Sequence, residues 1–270
     1  MLVAFLKLSP QAEVVGWRHN WTGKFPEANP PTSWSTDDGV VWKTKMPGPG
    51  NASPVIVGNR VFVCSDPDVL ICVDRDDGRI LWQHANPVGD LLDPETLAVY
   101  KTESKEGREL KTQFDNRKRT LRVAKWRAQR DNVNREETIA RIQGEVDALV
   151  KKMKECGTFD KYANPSTHGD NGHSTPTPVT DGKHVYTVFG TGVAVCYDLE
   201  GNKVWGTFVE TPTHEWGHSA SPLLVDGKVL IHILNLVALD AKNGDEQWRA
   251  GLPSYWGSPI LTRIGDVDVV

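Results

Sequence analysis

Three stretches of the chain follow one plan: a small residue and proline, two short strands, then aspartate, a glycine turn and a tryptophan that closes the unit. The first runs from Ser53-Pro54 through Asp74 and Gly78 to Trp82. The second runs from Thr175-Pro176 through Asp198 and Gly201 to Trp205, and the third from Ser221-Pro222 through Asp240 and Gly244 to Trp248. A fourth opens at Ser258-Pro259, so that residues 258–270 read as a truncated blade. Self-similarity at about 40 to 45 residues, with several short strands per unit, is the signature of an all-β chain built as a β-propeller of four-stranded antiparallel blades. About three and a half blades are present in 1–270.

The repeated residues have physical roles that follow from their chemistry. Asp74, Asp198 and Asp240 are placed to accept backbone N–H bonds across the following turn, and Gly78, Gly201 and Gly244 to supply positive φ there. Trp82, Trp205 and Trp248 are expected to wedge between neighbouring blades, each removing about 150–250 Å² from water. In the first unit, Val55–Val57 and Val61–Cys64 read as strands around a Gly58-Asn59 turn, and 69–73 and 79–83 as a second hairpin. Val40–Lys45 alternates as a further strand around Trp42.

The spacing isolates one irregularity. Trp42 to Trp82 is 40 positions and Trp205 to Trp248 is 43, but Trp82 to Trp205 is 123. Roughly 80 residues are therefore inserted, and 91–165 reads as helix. Leu110, Phe114, Leu121, Ala124 and Ala128 fall on one helical face, as do Ile139, Ile142, Val146, Leu149 and Met153. Asp131-Asn132-Val133-Asn134 separates the two runs, and Asn134 with Glu137 resembles a capping box. An antiparallel helical hairpin is the simplest object, its second helix closed by Gly157.

Charge is divided in the same place. Residues 101–156 hold 16 Lys or Arg against 10 Asp or Glu, whereas the rest of the chain holds 15 against 25. Arg119, Arg122, Lys125 and Arg130, with Arg117, Lys118 and Arg127, give the first inserted helix a positive face. Such a face either stays solvated or meets an anionic partner. No nucleic-acid motif accompanies it, and the acidic remainder disfavours specific nucleic-acid recognition. No run approaches the ~20 apolar residues of a membrane span. Met1–Leu8 is apolar but short and lacks the basic flank of a secretion signal.

Four cysteines stand far apart with no CxxC pair, which argues against a zinc site or a dense disulfide framework. Cys64, Cys72 and Cys196 lie in apolar strands and read as buried thiols. No Gly-rich phosphate loop, Gly-x-Ser-x-Gly elbow or His-Glu-x-x-His pair occurs, although 214–218 superficially echoes the last.

Histidines supply the sharpest candidate site. His173 precedes Thr175-Pro176 by two residues and His218 precedes Ser221-Pro222 by three, with His168 and His214 a little upstream of each. If the Ser-Pro element begins the innermost strand, these side chains approach one mouth of a central channel. There they would hold a polar ligand, or a transition metal helped by Glu215 or Asp170, or serve as ordinary loop residues. Trp216 and Trp256, each followed by Gly, would either stack on a planar ligand or sugar or pack at the rim.

The repeats, together with 16–18, Trp42 and the run Ser174-Thr-Pro-Thr-Pro-Val-Thr-Asp-Gly182 before Val185-Tyr186, resemble the pyrroloquinoline-quinone-like (PQQ-like) β-propeller repeat family. The resemblance covers roughly 16–90 and 168–270. That family includes quinoprotein alcohol and sugar dehydrogenases, which use PQQ and calcium. It also includes the scaffold lipoprotein of the outer-membrane barrel-assembly machinery, which uses neither. The dehydrogenases carry adjacent cysteines, and no Cys-Cys pair occurs here. The resemblance therefore implies a non-catalytic binding or assembly scaffold without cofactor, periplasmic or otherwise extracytoplasmic, with a protein partner or small polar ligand. A quinoprotein oxidoreductase fragment using PQQ and calcium, and a carbohydrate- or metal-binding propeller, are the alternatives. Because long unpaired sheet edges are avoided in nature, the expectation is a fragment of a larger ring, or a ring closed by two copies.

Overall fold

The protein is described by a computed structural model, in which residues 15–24, 29, 32, 33, 35, 38–252 and 256–270 are described. Three four-stranded antiparallel sheets follow in order: β1 to β4 (Val55–Val57, Arg60–Ser65, Val69–Asp74, Ile80–Ala85), β5 to β8 (Val179–Thr180, His184–Val188, Val193–Asp198, Lys203–Phe208) and β9 to β12 (Leu223–Val225, Lys228–His232, Asn235–Asp240, Glu246–Gly251). A hairpin of β13 (Thr262–Ile264) and β14 (Val267–Val269) follows. The chain divides into two compact units, one formed by the described residues up to Leu91 with Asn164–Val270, the other Leu92–Ala163.

The three sheets are blades of a β-propeller, and the same device joins each pair. The Trp42 indole lies against Gly78, where a Cβ would stand 2.6 Å from the ring, and its Nε1 donates to the Arg75 carbonyl at 2.7 Å. Trp82 covers Gly201 and donates to the Leu199 carbonyl at 3.1 Å; Trp205 covers Gly244 and donates to Ala241 at 2.9 Å. All three glycines have positive φ, at 75°, 91° and 78°, so the turn needs glycine for its conformation as well as for the space the indole fills. Asp74, Asp198 and Asp240 each accept a backbone N–H of the same turn at 2.8 Å, as their spacing leads one to expect.

Trp82 pairs across its sheet with Cys72, Trp205 with Cys196 and Trp248 with Ala238, and a bulge follows at once in each case. A small residue opposite the indole leaves it room to lean toward the next blade, and the bulge re-aims the outer strand. This places the buried cysteines. Trp248 packs instead against the cluster of Leu223, Leu230 and Leu236 with Leu261 and Val270.

A second repeated contact runs along the inner strands. The Ser53 N–H donates to Thr177 Oγ1 at 3.2 Å, the Thr177 N–H to Ser221 Oγ at 3.0 Å, and the Ser221 N–H to Ser258 Oγ at 2.9 Å. The second unit therefore begins at Thr177-Pro178, and the register that opens it at Thr175-Pro176 is two residues early. Tandem Thr-Pro pairs permit both registers by sequence. The choice is made by the neighbouring blades, which supply a hydroxyl on one side and a backbone N–H on the other. Val15 bridges Thr180 of β5 by two backbone hydrogen bonds, and Trp21 packs on the cores of the second and third sheets.

Two further expectations are corrected. Val40–Lys45 forms no strand; among the described residues it has no neighbouring ladder to join, although Trp42 docks as the repeat demands. In the helical unit, α1 (Pro94–Asp131) and α2 (Glu136–Met153) run antiparallel, with Leu121 against Ile142 and Val146. Gly157 does not end α2: its φ is −62° and it opens a short α3 (Gly157–Tyr162). The reversal between α1 and α2 falls at Asn132, at φ 51°, and Asn134 Oδ1 accepts the Glu136 N–H at 2.9 Å. At the other end Leu110, Cys156 and Phe159 form a second small core, into which Phe159 fits because α1 carries Gly107 where a Cβ would lie 2.1 Å from the ring.

Removal of an inter-blade indole tests this account. Trp205→Ala should cost roughly 3–5 kcal/mol, and Gly244→Ala roughly 1–3 kcal/mol from strain at positive φ and collision with the ring. In urea unfolding the double variant should cost clearly less than the sum, because Gly244→Ala loses its collision once the indole is gone.

Candidate functional site

The histidine and tryptophan candidates collect in the chain just ahead of the inner strands β5 and β9 and just past β12. Between Asn164 and Thr177, and again between Val209 and Ser221, the chain joins no strand ladder, so many of its backbone groups are met by side chains. Asp66 Oδ1 accepts the N–H groups of His173 at 3.0 Å and Ser174 at 2.9 Å. The Asn51 side chain donates to the Asp170 carbonyl at 2.7 Å. Thr167 Oγ1 donates to the Gly172 carbonyl at 2.9 Å, and Asn171 Nδ2 to the Trp216 carbonyl at 2.7 Å and the His218 carbonyl at 3.3 Å. Trp256 Nε1 donates to the Gly217 carbonyl at 3.2 Å. The two loops and Trp256 are thereby laced into one rim.

His168 and His214 turn out to be turn-formers with the same local geometry. His168 Nδ1 accepts the Asp170 N–H at 3.2 Å, and His214 Nδ1 accepts the Trp216 N–H at 3.1 Å. The rings are then used against indoles: His168 stacks on Trp216 at 4.0 Å between centroids, and His214 meets Trp256 edge-on at 4.5 Å. Gly217, at φ 79°, reverses the chain so that Trp216 is thrown outward. Trp216 and Trp256 remain 44% and 50% exposed. Together with Asp170, Asn171 and Ser219 they wall an open depression of about 450 Å³.

His173 and His218 are not equivalent. The corrected register places Ser174, not His173, three residues before the small residue of its unit. His173 is held against the β6–β7 turn, where the Gly190 N–H donates to its carbonyl at 2.6 Å. His218 is buried, at 4% exposure, and lines a partly enclosed cavity of about 270 Å³ with Pro212, Thr213, His214, Gly217, Ile233, Leu234 and Trp256. Among the described residues no group of three or more His, Cys, Asp or Glu side chains is gathered as a metal ion would require.

Burial drives the His218 pKa down from the ordinary 6.5 to about 4, with His232 adding to the effect, while a backbone hydrogen bond with Ala220 and the charge of Glu210 oppose it. Glu210 is itself a fixture of the site. Its Oε1 accepts the N–H groups of Leu234 and Asn235, each at 2.8 Å, and its Oε2 pairs with Arg249 Nη1 at 2.6 Å. A carboxylate just past β8 thus pins the β10–β11 turn that forms one cavity wall.

Sequence reasoning missed Asp66, Asn171 and Glu210, whose partners lie 24 to 120 positions away or in other turns; Asp66 and Glu210 stand just past β2 and β8, and no such signal marks Asn171. The thiols are unsuited to chemistry. Burial raises Cys64 to about 12 and Cys72 to about 11, and pushes Cys196 and Cys156 up as well. Arg119, Arg122, Lys125 and Arg130 are exposed on α1, with Arg130 paired to Asp131 at 2.6 Å and lying over Trp126 at 4.5 Å.

Repeated blades, inter-blade indoles and a laced rim define a PQQ-like β-propeller. The chain belongs to the family described as outer membrane protein assembly factor BamB, whose model matches residues 32–141 and 163–269. No curated protein matches the chain. Among solved structures it is similar to BamB from Moraxella catarrhalis, at 13% identity and a TM-score of 0.45, over 84% of this chain and 47% of that one. It is also similar to a quinohemoprotein alcohol dehydrogenase from Pseudomonas putida HK5, at 16% identity and 0.41, over 79% of this chain and 22% of that one. A europium-containing methanol dehydrogenase follows at 14% identity and 0.37, over 73% of this chain and 24% of that one. The chain thus spans less than half the length of each of these three.

Histidine burial has a consequence for stability. Between pH 6.5 and about 4 the unfolded chain binds a proton at position 218 that the folded chain refuses. The stabilisation is complete above pH 6.5 and is lost on acidification to about 4, by roughly 3 kcal/mol. Urea midpoints measured across this window should fall steeply for the native chain and less steeply for His218→Asn.

Proposed function

We propose that this protein is a non-catalytic binding scaffold that holds a protein partner on the rim formed by 164–177, 209–221 and Trp256. The observation that carries this reading is the pair Trp216 and Trp256. Trp216 is set outward by the turn at Gly217, both rings are anchored from behind by imidazoles and backbone carbonyls, and both are left roughly half exposed. Rigid, half-exposed aromatics with a satisfied polar surround are what protein-binding hot spots are made of, because little side-chain entropy remains to be lost on binding. Membership of a family described as an outer membrane protein assembly factor supports the same reading. It also supports an extracytoplasmic setting. No helix among the described residues is long and apolar enough to cross a membrane.

The basic face of α1 offers a separate contact for an anionic surface. Protonated, buried thiols give no support to cysteine chemistry. The scaffold reading carries no cofactor, so PQQ added with calcium should produce no saturable change in the protein's fluorescence.

A photoactivatable residue placed in turn at 216, 256 and the exposed outer-strand position Leu81 tests the rim in living cells. Crosslinks to one discrete protein are expected from the first two positions and not from the third. Trp216→Ala combined with Trp256→Ala should lower recovery of that protein about ten-fold or more. Equal crosslinking from Leu81, or undiminished recovery by the double variant, overturns the reading.

A further inference from the structure

The C-terminal part of α1 carries a composition that neither its pairing with α2 nor the rim accounts for. From Asn116 to Arg130 there is no aspartate or glutamate, while seven arginines and lysines stand in the same run. Arg117 turns to α2 and meets Glu145 at 3.0 Å. Arg119, Arg122, Val123, Trp126 and Arg130 follow one another at three- and four-residue steps or their sum, so they share a different face. At 3.6 residues per turn Trp126 stands roughly 140° around the helix from Leu121 and roughly 120° from Phe114. Those two belong to the core shared with Ile142 and Val146 of α2, so the Trp126 face points away from the partner helix. Its apolar members are left in water: Trp126 is 53% exposed, Val123 37%, and Val133, in the reversal just beyond, 49%. The Arg130 guanidinium lies 4.5 Å over the indole, which sets the ring beside a cation without covering it.

This mixture narrows the partner. The core of a protein interface is depleted of charge, whereas each apolar residue here has an arginine three or four positions away. A single strand of nucleic acid is tracked by a basic groove with successive stacking rings, and one helix face is a convex ridge with one ring. A bilayer surface supplies both chemistries side by side. Lipid phosphates accept from guanidinium groups in the bidentate way arginine favours, and an indole settles at headgroup level with its apolar body toward the acyl chains. Arg119 to Arg130 spans roughly 16 Å of helix axis, a straight line of side chains that a flat surface meets all at once.

We infer that this face of α1 is a docking surface for an anionic phospholipid bilayer, with Arg119, Arg122 and Arg130 on headgroup phosphates and Trp126, between Val123 and Val133, entering the headgroup layer. One indole and two valines bury too little apolar surface to hold the protein alone, so the contact is peripheral, needs anionic lipid and weakens with salt. This rests on the basic face of α1 as a contact for an anionic surface and is separate from the rim, whose crosslinks at 216 and 256 stand or fall independently.

The full chain is floated with vesicles of phosphatidylcholine alone and of phosphatidylcholine containing about one-third phosphatidylglycerol. At least about ten-fold more protein should partition to the anionic vesicles, and raising salt from about 0.1 M to about 0.5 M should remove most of it. Arg119→Gln with Arg122→Gln should lower binding about ten-fold, whereas Lys151→Gln with Lys152→Gln, an equal loss of charge on exposed positions of α2, should change it less than about two-fold. Far-ultraviolet dichroism shows that both variants keep their helices. Lipid brominated near the headgroup should quench a component of the emission that Trp126→Phe lacks. Equal partition to the two vesicle types, equal loss in the two double variants, or quenching unchanged by Trp126→Phe overturns the inference. So does tighter binding of a single-stranded oligonucleotide or of polyglutamate than of the anionic vesicles, which would assign the face to a nucleic acid or an acidic protein.

Discussion

An indole from one blade resting on a left-handed glycine of the next is the contact on which the rest of this structure depends. It couples three requirements that are far apart in sequence. The turn must have positive φ, so it needs glycine; its N–H groups must be met, so it carries aspartate; and the space above the glycine must be filled, so the preceding blade ends in tryptophan. The indole N–H donates into the same turn, at 2.7 to 3.1 Å in all three instances, which fixes rotation as well as separation of the blades. The line of small-residue hydroxyls accepting N–H groups from the preceding inner strand repeats the coupling at the other edge of each sheet. With both edges tied, the loops that join one blade to the next have little freedom in where they begin and end.

That restriction explains how irregular loops build a defined surface. A loop without ladder partners must satisfy its backbone through side chains, and the rim does so with groups borrowed across blades: Asp66 for His173 and Ser174, Asn171 for Trp216 and His218, Trp256 for Gly217. Each contact joins segments that flank different sheets. The helical unit solves its packing differently, by two apolar faces and a glycine that admits Phe159, and so needs no such lacing.

Much of this was legible in the chain because it is periodic. The blades, their turns and the two helical faces each repeat a short pattern whose physical cause is local. What was not legible is what depends on a neighbour. Thr175-Pro176-Thr177-Pro178 contains two candidate starts, and only the hydroxyl of Ser221 and the N–H of Ser53 choose between them; the supposed equivalence of His173 and His218 fell with that choice. Gly157 looked like a terminator because glycine often is one, yet its φ of −62° lets the chain continue into α3. His168, His214 and His218 all lie in the chain ahead of β5 and β9, but nothing in their spacing distinguishes two turn-formers from one buried ring.

Tryptophan usage separates framework from surface more sharply than histidine does. Trp42, Trp82 and Trp205 each have the indole N–H engaged by the next blade's turn. Trp216, by contrast, is anchored through its backbone carbonyl and by a stacked imidazole on one face, which leaves the other face to solvent. Trp256 is anchored through its N–H to the rim itself and lines both the cavity and the open depression. Folding gains little from holding two large apolar rings half in water, and the loops would need fewer cross-blade bonds if they did not have to hold them there. The hydrogen bonds spent on these two residues therefore hold exposed rings in fixed places, and one indole, Trp256, is the wall that the open depression and the partly enclosed cavity share.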